Sequence, residues 1–274
     1  MDLTYFQLLS NEPFSIGIGH ISPIKIKTIR QMGENRYKMY LFYAVMTISK
    51  FYQYYIPDKC EEYENCSDEE RKEITLFSLV AGFDDIILEY EKLFNVFFVE
   101  NVKFSVKNKR FEIYTIEKQT DSKDNNKMKN IINIHGIIND DNFTDVLKII
   151  AQLCNAEPVK SAQDDIAEIK DKSVRDMLIR IRNAKKKRQP KHEVKKEENP
   201  MFEMGNIISV VSSYGNNGIN CINIEDITVA NLYDQFARIV VDRAYNISAR
   251  SVSVWGDKDK QFKSDSYLEN LNKK

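Results

Sequence analysis

Adjacent acidic side chains are the residues of this chain whose types and spacing come nearest to catalytic or metal-binding chemistry. Aspartates are paired at Asp84–Asp85, Asp140–Asp141 and Asp164–Asp165. Two neighbouring carboxylates can hold a divalent cation or divide the general acid and general base roles between them. The second and third pairs, however, begin predicted helices, where negative charge interacts favourably with the helix dipole. The first pair lies on the polar flank of another predicted helix, so we predict that none of the pairs is catalytic.

Histidines and cysteines do not form a metal-ligating or nucleophilic pattern either. His20, His135 and His192 are far apart in the sequence, and no nucleotide-binding or hydrolase motif accompanies them. A zinc site needs about four ligands at short paired spacings, and the cysteines lack that arrangement: they are Cys60, Cys66, Cys154 and Cys221. We therefore predict no catalytic residue, no metal and no cofactor, and hence a protein that is not an enzyme. A disulfide between Cys60 and Cys66 stays open as an alternative to free thiols.

The balance of charges argues against a general nucleic-acid-binding protein. Forty basic and 41 acidic residues leave a formal net charge of −1, whereas such proteins carry a basic excess. The local exception is a basic run from Lys185 to Lys196, which begins with Lys185, Lys186, Lys187 and Arg188. No aromatic residue is interleaved with these side chains for base stacking. The run is therefore interpreted as a linker, with contact to a polyanion as the alternative.

Aromatic residues are the strongest indication of binding to other proteins. The segment Glu34–Tyr55 carries tyrosines and phenylalanines on more than one face of a predicted helix, and Tyr is favoured both in cores and at interfaces. Core packing explains one stripe, but Phe42 and Tyr54 lie off it. The residues that we predict to bind a partner are Tyr40, Phe42, Tyr43, Tyr54, Tyr233, Phe236 and Trp255.

Hydrophobic periodicity predicts an α+β fold that is mainly helical. Two long helices, Glu34–Tyr55 and Asp68–Phe98, are expected to pair as an N-terminal helical hairpin. Gly82 leaves open a break or a close helix crossing in the second helix. Alternating residues predict short strands before Gly33, and a small antiparallel β element that starts near Val102 and ends with "IINIHGI".

The remaining elements are helices and connections. Further helices are predicted from about residue 141, over Asp164–Lys187, near Met201–Gly215 and over Ile227–Tyr245. The expected domain organisation is a mainly helical body with its small β-sheet (1–185), a basic linker (186–200) and a C-terminal helical segment (201–274).

Neither a signal peptide nor a membrane span is predicted. The first residues lack a basic start followed by an apolar run. The longest apolar stretch, "MYLFYAVMTI", has about half of the roughly 20 residues that a spanning helix needs. The expectation is a soluble protein made in the cytoplasm, without a membrane partner.

Three short motifs occur in an order that resembles tail-morphogenesis proteins of tailed bacteriophages and prophages of low-GC Gram-positive bacteria. Pro23, Lys25 and Ile29 lead into the aromatic helix, "LYDQFAR" spans Leu232–Arg238, and "VWG" spans Val254–Gly256. The resemblance implies a tail assembly chaperone, or a minor tail or baseplate protein, and it brings no catalytic residues.

The function expected from the resemblance is therefore non-enzymatic binding to other phage tail or baseplate proteins, with homo-oligomers also possible. The expected location is the host cytoplasm during assembly, or the virion tail. The alternative is a nucleic-acid-associated phage protein that uses the basic run, although we expect no nucleic-acid partner.

Overall fold

The chain folds around one hydrophobic core to which both its N-terminal and its C-terminal parts contribute. The computed structural model describes residues 2–120, 128–156, 203–214, 218–257 and 262–263. The predicted helix Asp164–Lys187, the basic run and the residues after position 263 lie outside this description. Within it, the helices and two small antiparallel sheets confirm the α+β, mainly helical fold class.

Short helices make up most of the first hundred residues. We number the helices in chain order: α1 (Tyr5–Leu8), α2 (Ile26–Met32), α3 (Glu34–Ala44), α4 (Ile48–Tyr55), α5 (Cys60–Asn65), α6 (Asp68–Glu73), α7 (Leu76–Val80) and α8 (Asp84–Phe97). Later in the chain, the described residues form three more helices: α9 (Phe143–Leu153), α10 (Met204–Ser213) and α11 (Val229–Trp255). Single 3₁₀ turns lie at Pro57–Lys59 and Ile224–Asp226.

Neither of the two predicted long helices is continuous, because threonine side chains start new helices inside both of them. The second is also broken at Gly82, where a break was one of the alternatives. The first is divided into α3 and α4, and the Thr47 hydroxyl accepts a hydrogen bond from the Lys50 amide at 3.3 Å. The second is divided into α6, α7 and α8, and Thr75 caps α7 in the same way. A threonine that accepts a hydrogen bond from a backbone amide two or three residues later favours a new N-terminus over continuation of the helix. Ser67 and Glu70 form a capping box at the N-terminus of α6.

The larger sheet has three antiparallel strands in the order β3–β4–β5. Its strands are β3 (Asn101–Ser105), β4 (Arg110–Thr120) and β5 (Met128–Ile138). β3 pairs with β4 only up to Tyr114, whereas β4 and β5 remain paired as far as Thr120 and Met128. The three strands predicted here are therefore confirmed, and the outer part of β4 and β5 is a two-stranded ribbon.

The smaller sheet is a short hairpin close to the N-terminus. β1 (Phe14–Ser15) pairs with β2 (His20–Ile21), but the alternation of Ile24 and Ile26 does not continue as a strand. Instead, Lys25 forms an isolated antiparallel bridge with Thr228, and α2 begins at Ile26. The extended segment thus pairs once with a residue two hundred positions away, which no local pattern could reveal.

Aromatic rings from three layers meet in the centre of the core. Tyr90 and Phe94 of α8, Phe111 of β4 and Phe143 of α9 are all fully buried. The Tyr90 and Phe143 ring centroids are 5.1 Å apart, as are those of Phe94 and Phe111. These edge-to-face contacts join α8 to α9 and α8 to the sheet.

Candidate functional site

The residues that were candidates for chemistry are not brought together into one site. Asp84 and Asp85 occupy the first turn of α8 and are exposed. Asp140 and Asp141 lie exposed in the turn before α9, whereas Asp164 and Asp165 are outside the described residues. Among the residues that the structure describes, no three His, Cys, Asp or Glu side chains are grouped so that they could hold a metal ion.

The thiols are separate from one another as well. Cys66, Cys154 and Cys221 carry free thiols, so the alternative of a Cys60–Cys66 disulfide is not realised. Burial raises the pKa of the Cys154 thiol to about 12, so this thiol stays protonated at neutral pH and is a poor nucleophile.

Each described histidine has a local hydrogen-bonding role. The His20 ring nitrogen Nδ1 is 2.7 Å from Glu100 Oε1, and His135 Nε2 is 2.7 Å from the Thr115 hydroxyl. His192 lies outside the described residues, together with Lys185, Lys186, Lys187 and Arg188. The structure therefore adds nothing to the polyanion alternative.

Tyr40 and Tyr43 belong to the hydrophobic core. Both are buried, Tyr40 accepts a hydrogen bond from Arg36 Nε at 3.0 Å, and Tyr43 accepts one from the Tyr55 hydroxyl at 3.1 Å. Burial, and next the hydrogen bond from Tyr55, raise the pKa of Tyr43 well above its ordinary value. Contact of these two side chains with a partner stays a prediction.

Phe42 and Tyr54 form the exposed part of the predicted aromatic surface. Their ring centroids are 4.9 Å apart in an edge-to-face arrangement, and Tyr54 is 64% exposed while Phe42 is partly buried. Trp255 is 76% exposed at the C-terminal end of α11. At 1.5 Å per residue it is about 28 Å along the helix from Phe236, so Trp255 and Phe236 do not share one contact surface.

Tyr233 and Phe236, in contrast, line an apolar groove of about 520 Å³. The groove runs between α1, the C-terminal end of α9 and the first half of α11. Its walls are mostly apolar side chains: Leu8, Leu9, Gln152, Asn155, Ala230, Tyr233, Asp234, Phe236, Ala237, Val240 and Val241. A pocket of this size and composition suits an apolar side chain or helix face.

Polar contacts fix the walls of this groove. The Tyr5 hydroxyl donates to Asp234 Oδ1 at 2.8 Å, and Arg238 donates to the Tyr5 hydroxyl at 3.2 Å. The Gln152 side chain accepts a hydrogen bond from the Leu3 amide at 2.9 Å, and Asn231 Nδ2 donates to the Leu9 carbonyl at 3.2 Å. α1 is therefore held by both α9 and α11, so the groove is formed before any ligand arrives.

Sequence reasoning identified two aromatic residues of the groove but missed the groove itself. Leu8, Leu9 and Ala237 carried no signal of their own, because they become neighbours only when α1 packs beside α11. The contact between Tyr5 and Asp234 joins residues at opposite ends of the chain. A pattern within either segment could not have revealed it.

Comparison with known proteins gives one family match, at the C-terminal part of the chain. Residues 194–272 match the family model described as the YomV second domain. YomV is a phage- or prophage-associated protein of Bacillus, and the match thereby links this chain to phage-related proteins. No curated protein and no solved structure matches the chain. Within the described residues, no helix combines the length and the apolar character needed to cross a membrane.

Proposed function

We propose that this chain is a non-enzymatic phage tail morphogenesis protein that acts by binding other proteins. It would serve as a tail assembly chaperone or as a minor tail or baseplate component. The observation that carries this proposal is the preformed apolar groove, because its lining suits an apolar segment of another protein and offers no set of converging catalytic groups. The match to the YomV second domain and the resemblance of the three sequence motifs support the connection with phages.

The proposed contact would lie on the segment that carries the family match. Seven of its lining residues belong to α11, and α11 lies within residues 194–272. The polar residues Gln152, Asn155 and Asp234 lie among the apolar ones and would fix the direction of a bound segment. An amphipathic helix of a tail protein, with its apolar side turned to Phe236 and Val240, fits this arrangement best.

A charged substitution inside the groove tests the proposal. Ala237→Arg places a guanidinium among Leu8, Tyr233 and Val241, and burying that charge without a partner is costly. We expect at least a tenfold loss in binding of the cognate tail proteins. We also expect fewer complete tails by electron microscopy when this variant complements a deletion. Val254→Arg, at an exposed position of the same helix, is the matched control and should behave like the wild type.

The protein content of purified virions separates the two forms of the proposal. Presence of the chain in virions identifies a structural component, whereas absence combined with defective tails identifies a chaperone. Normal tail assembly with Ala237→Arg would contradict a role for the groove. Filter binding at low and high salt tests the nucleic-acid alternative, because binding through Lys185–Arg188 should weaken steeply as salt rises.

A further inference from the structure

The outer part of β4 and β5 is a ribbon that lacks a third strand. β3 pairs with Arg110 to Tyr114 of β4 and no further, so Thr115–Thr120 of β4 pair only with β5. A two-stranded ribbon is marginally stable in water by itself, and a further strand or a packed face stabilises it. This part of the sheet is therefore suited to adding a strand.

One face of the ribbon is apolar and faces solvent. Paired residues project on the same side of an antiparallel sheet, and the pairs here are Tyr114 with Ile134 and Ile116 with Ile132. Ile132 is 62% exposed, Ile134 is 52% and Ile116 is 49%. Isolated exposed apolar side chains are ordinary, but a contiguous group of them indicates an interaction surface.

One free edge of the ribbon is the outer edge of β5, and the residues along which it is available are well defined. No described strand other than β4 pairs with β5. Towards the C-terminal end of β5 the face of the sheet is covered, because the Ile18 backbone lies so close to Gly136 that an added Cβ would be 2.1 Å from the Ile18 carbonyl oxygen. Next to it, Asn142 donates a hydrogen bond to the Ile137 carbonyl. The available edge therefore lies before Gly136.

The usual protection of an edge strand is missing from this segment. Natural edges carry lysine, proline or inward-pointing charges that prevent pairing with another chain. The residues from Ile131 to His135 read Ile-Ile-Asn-Ile-His and include none of these. The register shift of β4 and β5, which leaves His135 without a cross-strand partner, lies at the far end of the segment.

The occupant that fits this edge is a second copy of the same strand. When the segment is aligned antiparallel with itself about Asn133, Ile132 of one copy lies opposite Ile134 of the other. By symmetry, Ile134 of the first copy lies opposite Ile132 of the second, and no like charges face each other. Such pairing satisfies a two-fold axis and joins the two exposed apolar faces side by side. The other free edge, on β4, carries Glu117 and Lys118 in sequence and has no such symmetry.

We propose that the protein self-associates as a two-fold dimer through antiparallel pairing of β5 with β5 of a second copy, centred on Asn133. Backbone hydrogen bonds between the two β5 strands supply the attraction, and the Ile132–Ile134 contacts set the register. This pairing leaves the groove beside α11 free, so it does not depend on the proposed function.

Sedimentation equilibrium of the full chain over a dilution series is the first test. We expect a dimer for the wild type and a halved mass for the double substitution Ile132→Lys and Ile134→Lys, which introduces the charges that natural edges use. Val106→Lys is the matched control, because Val106 is an exposed apolar residue in the β3–β4 turn of the same sheet. It should remain dimeric. A monomeric wild type, or a dimer that persists in the double variant, overturns the proposal.

A cysteine cross-link tests the register even if the lysine variant fails to fold. Residues directly opposite in antiparallel strands have Cα atoms about 4.5–5.5 Å apart, which is within the range of a disulfide. Asn133→Cys should therefore cross-link to itself under mild oxidation, and peptide mapping should identify the 133–133 linkage. Thr115→Cys, on the neighbouring strand opposite Asn133, should not. Absence of the 133–133 linkage, or equal linkage at both positions, overturns the proposed pairing.

Discussion

At the residue scale, Glu100 is the carboxylate whose surroundings differ most from what the sequence indicates. It is 8% exposed, and it accepts a hydrogen bond from the His20 backbone amide at 3.0 Å as well as contacting the His20 ring. Burial acts to raise the pKa of Glu100, but the hydrogen bonds from His20 outweigh it and hold that pKa below its ordinary value. The carboxylate thus fastens β2 to the chain that follows α8.

We expect Glu100→Gln to destabilise the protein by about 1 kcal/mol at neutral pH, because hydrogen bonds to an ionised acceptor are stronger than those to an amide. The folded state favours the ionised form, so this stabilisation is complete above the unfolded pKa of about 4.3. It is lost as the pH falls through the lower pKa of the folded protein. Urea unfolding between neutral and acidic pH measures the difference, which should shrink below the unfolded pKa.

The exposed Glu69→Gln is the control for this measurement, and it should change the free energy of unfolding by less than about 0.5 kcal/mol. A difference between wild type and Glu100→Gln that grows as the pH falls would contradict the assigned role of the charge.

The burial of individual aromatic side chains could not be predicted from the sequence. Tyr40, Phe42 and Tyr43 are close neighbours in the sequence, yet Tyr40 and Tyr43 are buried and Phe42 is only partly so. The predicted stripe of α3 assumed one straight helix through Tyr55. Because the helix is divided at Thr47, the direction of every side chain after that point changes.

At the element scale, Thr228 joins the start of α11 to the N-terminal part of the chain. Its hydroxyl accepts a hydrogen bond from the Asn231 amide at 3.3 Å, and it is fully buried. The Ile26 amide donates to the Ile227 carbonyl, and the Val229 amide donates to the Ile24 carbonyl, both at 3.0 Å. The cap is therefore part of the junction between two distant segments.

Loss of the Thr228 cap should destabilise the protein by weakening the N-terminus of α11. We expect Thr228→Ala to lower the free energy of unfolding by about 0.5–2 kcal/mol, the usual cost of removing an N-cap hydroxyl. Thr228→Ser retains the hydroxyl and should recover most of that loss, and chemical denaturation of the three proteins measures both effects. Equal losses in the alanine and serine variants would show that the methyl group, and not the cap, is responsible.

Local patterns predicted those elements whose stability is itself local. The helix predicted from about residue 141 is α9, and its apolar stripe of Phe143, Val146, Leu147, Ile150 and Leu153 is buried. The β3–β4–β5 sheet was predicted from alternation along adjacent strands. The bridge between Lys25 and Thr228 was not, and neither was the groove, because both depend on contacts between opposite ends of the chain.

At the scale of the whole molecule, the C-terminal helices complete the core of the body. Ile207 and Val211 of α10 and Leu232 and Ile239 of α11 are buried in the same cluster as the aromatic residues of α8 and α9. α11 also contacts α9 directly. A tethered segment that reaches outward would leave these side chains exposed, whereas here their burial links the stability of the two parts.

Cooperative unfolding is the expected consequence of that shared core. Leu232→Ala removes a fully buried side chain from α11, and such a truncation costs about 2–5 kcal/mol. If the core is one unit, hydrogen exchange should speed up in α9 and in the β3–β4–β5 sheet as well as in α11, and thermal unfolding should remain a single transition. Val254→Ala, at an exposed site of the same helix, should change stability by less than about 0.5 kcal/mol. Faster exchange confined to α10 and α11, or a second unfolding transition, would show that the C-terminal segment folds independently of the body.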